Sequence, residues 1–199
     1  MKEFIFLNGP TGVGKTTLAK KLHHHYQGVY IEQHMIPDFY PFLEDEDQAA
    51  LLEEEACWEA MLAMAWRFHE LNFKSIIILD YDDIRAREIP IIFQGHAFIC
   101  LKLISSDFEQ NKQQMVHRQP PGLNDLETLE RATRKIMHRE CLPNEVVIDV
   151  AGKSVEQVFE DAVSVIDTYQ SQKNYSYHPL PEKAFDSWVQ IKRRQMDHT

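Results

Sequence analysis

Eight residues constrain this chain more than any others. Gly9-Pro10-Thr11-Gly12-Val13-Gly14-Lys15-Thr16 fits the pattern G-x-x-x-x-G-K-[ST] in full. It follows the apolar run Phe4-Ile5-Phe6-Leu7 and opens a helix-like stretch from Lys15 to about Tyr26. A buried strand, a glycine-rich turn and a helix in that order allow few architectures, because the chain must return to the same sheet. The glycines permit a tight turn whose backbone N–H groups surround an anion. The helix N-terminus adds the positive end of its dipole. The expected nucleotide-binding residues are therefore Gly9, Thr11, Gly12, Val13, Gly14, Lys15, Thr16 and Thr17. In this pattern Lys15 reaches the β- and γ-phosphates and the Thr16 hydroxyl ligates Mg²⁺. Thr17 is placed to contact the α-phosphate.

The rest of the chain alternates strand and helix patterns. Strands are expected over 2–8, 28–32, 75–79, 97–104 and 145–150. Helices are expected over 15–26, 46–73, 107–117, 125–140 and 154–169. Ser154, with Gln157 three residues on, reads as a capping box. Ser75-Ile76-Ile77-Ile78-Leu79 is an unbroken β-branched run, as in a central parallel strand covered on both faces. Together these predict an α/β fold with a five-stranded parallel sheet. Residues 1–170 read as one domain. Residues 171–199 read as an extension, with a short helix carrying Phe185, Trp188 and Val189. That helix is expected to pack on the domain; a dimerising or partner-binding arm is the alternative.

Candidate chemistry sits at the expected strand ends. Asp80 closes the apolar run, where it is placed to hold a Mg²⁺-bound water; Asp82 and Asp83 are close competitors. Glu32 ends the second strand and is the candidate base for an acceptor hydroxyl, with Asp38 as the alternative. Arg118 precedes the breaker Gln119-Pro120-Pro121-Gly122, and Arg131 and Arg134 follow at a spacing that puts them on neighbouring parts of one helix face. Arginines on such a segment can close over transferring phosphates; the competing reading is a solvated face paired with Glu127 and Glu130. Arg85 and Arg87 are further candidates to bind substrate. Residues 33–73 are the expected lining of the acceptor pocket.

Several classes are excluded. A net charge of −10 disfavours nucleic acid and anionic membrane surfaces as partners. No apolar stretch approaches the roughly 18 residues of a membrane span. Cys57, Cys100 and Cys141 are far apart and odd in number, which fits reduced thiols in a cytoplasmic protein. His23-His24-His25 is a solvated helix end, because consecutive helical residues point about 100° apart. Asn111-Lys112-Gln113-Gln114 lacks the aspartate of the guanine-reading N-K-x-D.

The chain resembles the P-loop small-molecule kinases: nucleoside and nucleotide kinases and their shikimate- and antibiotic-phosphorylating relatives. The resemblance rests on Gly9 to Leu22, on Leu101-Lys102-Leu103-Ile104-Ser105 leading toward Arg118, and on Val147-Ile148-Asp149-Val150-Ala151-Gly152-Lys153-Ser154. It implies a three-layer P-loop NTPase fold with sheet order 2-3-1-4-5 and a helical lid. It also implies ATP and Mg²⁺, and places the 147–156 segment near the adenine. Deoxynucleoside kinases carry Glu-Pro and Asp-Arg-Ser where this chain has Glu32-Gln33 and Asp80-Tyr81-Asp82. The expectation is an ATP-dependent phosphotransferase acting on a small hydroxylated or phosphorylated metabolite. Lys15, Glu32, Asp80, Arg118 and Arg134 are its catalytic candidates, and Thr16 and Asp80 its metal ligands. The alternative is an ATP-dependent switch or degenerate kinase acting through a protein partner.

Overall fold

The computed structural model describes residues 2–32, 35, 46–79, 83–107, 109 and 126–178. Five strands form one sheet: β1 (Phe4–Asn8), β2 (Val29–Glu32), β3 (Ser75–Ile78), β4 (Phe98–Ile104) and β5 (Glu145–Asp149). All pairings are parallel, in the order β2-β3-β1-β4-β5. This is the order the resemblance implies. The helices are α1 (Lys15–Tyr26), α2 (Glu46–Glu70), α3 (Asp83–Ala86), α4 (Ile89–Ile92), α5 (Leu126–His138) and α6 (Val155–Thr168).

The period of two along each strand divides the core into two layers. Ile5, Leu7, Ile76, Leu101 and Leu103 face Leu18 and Leu22 of α1 and Ala162 and Ile166 of α6. Phe4, Phe6, Ile77 and Phe98 face Trp58, Met61 and Ala65 of α2, together with Phe93. Helices on both faces explain why these strands are apolar without alternation. Each such side chain contributes about 1.5–3 kcal/mol by leaving water.

Ser154 caps α6 as its spacing predicts: Ser154 Oγ accepts from Gln157 N at 3.2 Å and Gln157 Oε1 accepts from Ser154 N at 2.8 Å. The short helices α3 and α4 lie in a stretch for which the sequence signalled no helix. Residues 171–178 run as a strap along the N-terminal end of the sheet. Ser171 Oγ donates to the Phe98 carbonyl at 2.7 Å, and Asn144 exchanges two hydrogen bonds with the Gln172 backbone. Tyr175 Oη donates to the Pro90 carbonyl. The helix expected around Phe185 and Trp188 lies outside the described residues. No helix among the described residues is long and apolar enough to cross a membrane.

Candidate active site

The glycine-rich turn leaves the carboxyl end of β1, the central strand, and runs into α1. Asn8 at the strand end is fully buried, and its Oδ1 accepts from Gly9 N at 2.7 Å. Gly9, Gly12 and Gly14 all take positive φ, at 144°, 82° and 101°. At Gly9 a side chain is also excluded by space, because a Cβ would stand 2.4 Å from the Leu103 carbonyl oxygen. The loop is thereby pressed against the end of β4. Val13, read from sequence as a binding residue, turns its side chain into the core at 4% exposure. Only its backbone is left to serve a ligand.

Lys15 Nζ donates to the Gly9 carbonyl at 2.7 Å and the Pro10 carbonyl at 3.1 Å, which holds the ammonium against the loop. Thr16 is half-buried and Thr17 exposed at the start of α1. No acidic residue occupies the first turn of α1, and His23, His24 and His25 occupy the last. The positive helix end is therefore not offset by a carboxylate of its own first turn. A loop of three left-handed glycines, a lysine ammonium and an acid-free helix start fits a polyphosphate. The Thr16 hydroxyl, half-buried at the start of α1, is an oxygen donor of the kind a hard cation takes.

Glu32 closes β2 and pairs in register with Ile78 of β3. Its Oε1 accepts a hydrogen bond from Tyr30 Oη. Sequence reasoning singled out Glu32 but missed Tyr30. The signal was present: residues i and i+2 of a strand share a face. Asp149 closes β5, and its Oδ1 accepts from Ser106 N and Ala151 N, both at 3.0 Å. Burial pushes its carboxyl up, but these hydrogen bonds outweigh it and leave the group below the ordinary aspartate value. The residue ties the loop after β4 to the loop after β5, inside the segment that the resemblance links to adenine.

The remaining candidates are distributed unevenly. Asp80, Asp38 and Arg118 lie outside the described residues, as does the side chain of Arg131. Arg134 is exposed on α5 and pairs with Glu130 one turn away at 2.6 Å. Arg85 is 2% exposed. Its guanidinium donates to Glu55 Oε2 at 2.6 Å and to both Glu88 oxygens at 3.1 Å, and it lies over the Trp58 ring. These contacts join α2 to the α3–α4 segment. Burial raises the Glu88 carboxyl above its ordinary value, with the Arg85 charge pulling the other way. Of the three histidines expected at a solvated helix end, His24 and His25 are exposed, whereas His23 is half-buried beside the Tyr30 ring.

No protein-family model and no curated protein sequence matches the chain. Solved structures do match in shape. A sugar kinase from Janibacter sp. HTCC2649 superposes with a TM-score of 0.60 at 17% identity, over 84% of this chain and 95% of that one. The Deinococcus radiodurans tunicamycin resistance protein gives 0.57 at 19% identity, over 86% of this chain and 99% of that one. Thymidylate kinase from Candida albicans gives 0.55 at 17% identity, over 84% and 92%. The fold is that of the P-loop small-molecule kinases. What these proteins share with the chain is the fold alone: the parallel sheet in the order β2-β3-β1-β4-β5 with helices on both faces.

Proposed function

We propose that this chain is an ATP-dependent phosphotransferase acting on a small hydroxylated or phosphorylated metabolite. The observation that carries the reading is the loop from Gly9 to Thr16. Three positive-φ glycines set its shape, the Lys15 ammonium lies against it, and it sits at the carboxyl end of the central strand. A fold shared with kinases for a sugar and for thymidylate supports the same class of chemistry.

In this reading the loop amides and Lys15 bind the β- and γ-phosphates and hold them still. Thr16 and Asp80 would hold Mg²⁺, which would supply neutralisation of the phosphate charge. Glu32 accepts the proton of the acceptor hydroxyl, and Tyr30 orients its carboxylate through Oε1. Arg118 and Arg134 are the proposed cover over the transferring group; Arg134 reaches it by leaving Glu130, an exposed pair that costs little to break. The rate comes from positioning and charge stabilisation more than from covalent chemistry.

The test is transfer from labelled ATP with Mg²⁺ to pooled nucleosides, nucleoside monophosphates, sugars, shikimate-like acids and aminoglycosides. One pool is expected to yield a labelled product, with Lys15→Ala reducing the rate by about a hundredfold or more. Full transfer by Lys15→Ala overturns the reading.

A further inference from the structure

At the end of the sheet away from the phosphate loop, three residues from separate parts of the chain converge. Glu3 immediately precedes β1, His69 lies in the last turn of α2, and His96 lies in the turn leading into β4. One ligating atom from each falls within 4.8 Å of the other two, and all three side chains are half-buried. His96 Nδ1 and Glu3 Oε2 are 3.3 Å apart. That matches the ligand–ligand spacing of about 3.4 Å in a tetrahedron with bonds of about 2.0–2.1 Å. We propose that Glu3, His69 and His96 form a binding site for a divalent transition metal, with zinc the best fit.

The surroundings hold the donors in place. Glu3 Oε2 also accepts from Ala97 N at 3.0 Å, and Glu3 N donates to the Ala97 carbonyl at 2.7 Å. The carboxylate is thus fixed to the backbone beside His96, the kind of outer contact that orients metal ligands. Both imidazoles are wedged among rings. His69 lies 5.0 Å from Phe4 and His96 lies 4.9 Å from Trp66, centroid to centroid, and the two imidazoles are 5.5 Å apart and nearly perpendicular. Two imidazole nitrogens and one carboxylate oxygen lie within 4.8 Å of one another, and each can offer a lone pair to a metal. That donor set suits zinc over Mg²⁺ or Ca²⁺, which prefer oxygen ligands alone. Three protein ligands leave a fourth position for water or an external ligand. Bound metal would clip the starts of β1 and β4 to the end of α2. The site is separate from the phosphate loop, so its test does not depend on the kinase reading.

The experiment uses the full chain carrying His23→Asn, His24→Asn and His25→Asn, which removes the other histidine cluster. After treatment with EDTA, Zn²⁺ is titrated against a chromophoric chelator and Co²⁺ is added separately. One Zn²⁺ per chain is expected, with visible Co²⁺ absorption from a tetrahedral site. Adding His69→Asn, His96→Asn or Glu3→Gln is expected to weaken Zn²⁺ binding by on the order of tenfold or more. Zn²⁺ binding unchanged by these substitutions overturns the site. Far-UV circular dichroism of the metal-free variants checks their fold. If one is unfolded, the Co²⁺ spectrum of the parent decides: no visible absorption overturns the proposal.

Discussion

A Cβ on Gly9 would stand 2.4 Å from the Leu103 carbonyl oxygen, so the glycine-rich loop and β4 touch backbone to backbone. Gly14 differs: its φ is also positive, at 101°, but a Cβ there would meet open space. The two glycines therefore separate strain from collision. Gly14→Ala is expected to cost the conformational strain alone, about 1–3 kcal/mol. Gly9→Ala adds a clash with a backbone carbonyl that cannot rotate away, so it is expected to cost more. Urea denaturation of both variants measures the difference. Equal stability losses would mean that β4 yields to the loop.

Glu32 carries its own internal control in Tyr30, whose hydroxyl it accepts. If Glu32 is the base, Glu32→Gln lowers kcat by about 10²–10⁴-fold and leaves ATP affinity unchanged. Tyr30→Phe removes only the orienting bond, so a smaller loss is expected. Both numbers come from transfer assays and nucleotide titration on the same preparations. A Glu32→Gln enzyme with wild-type kcat would move the role to Asp38 or Asp80.

The parts of this fold legible in the sequence were those written in local pattern. All five strands were legible as short apolar-rich runs; β1 and β3, inside the sheet, are the unbroken ones because helices cover both of its faces. Ser154 and Gln157 announced the α6 cap because a capping box is four residues long. Strand order was not written locally; it followed from the family resemblance. What could not be read depends on contacts between distant segments. Arg85 looked like a charged side chain available to substrate, and only packing places it between Glu55 and Glu88. Lys102 breaks the apolar run of β4, yet its Nζ reaches the Arg139 carbonyl at 2.7 Å and is buried. Glu3, His69 and His96 have no shared spacing at all. The short α3 and α4 escaped because four residues are too few for a helical period to register.

The Arg139–Glu145 pair is a sharper stability probe than any surface bridge here. Its side chains are 6% and 0% exposed, and the two N–H···O contacts are 2.8 and 2.6 Å. Glu145 also accepts from Leu142 N at 2.9 Å. Arg139→Ala leaves a buried carboxylate without its cation, which is expected to cost about 3–5 kcal/mol. Replacing both partners, Arg139→Met with Glu145→Gln, removes the stranded charge and is expected to cost less than Arg139→Ala alone. By contrast, Arg67→Ala breaks the exposed Arg67–Glu70 pair and should change stability by about 0–1 kcal/mol. Chemical denaturation orders the three. A double variant worse than Arg139→Ala would mean that the ion pair itself, rather than the stranded charge, carries the stability.

Tyr175 reports on the strap through its titration. Burial pushes its phenol up to about 12, against an ordinary value of 10.0. The folded chain therefore keeps a proton that the unfolded chain releases earlier. The resulting stability is present below the ordinary value and is lost as pH rises toward about 12. Tyr26 is also raised, and Lys2 and Lys74 are lowered, so the whole-protein curve mixes several groups. The difference between wild type and Tyr175→Phe cancels them. At neutral pH the variant is expected to be less stable by about 1 kcal/mol, having lost the bond to the Pro90 carbonyl. Above the ordinary tyrosine value the wild-type advantage should shrink, and the two curves should converge or cross. Parallel curves through that range would show that the phenol stays in water and that the strap does not bury it.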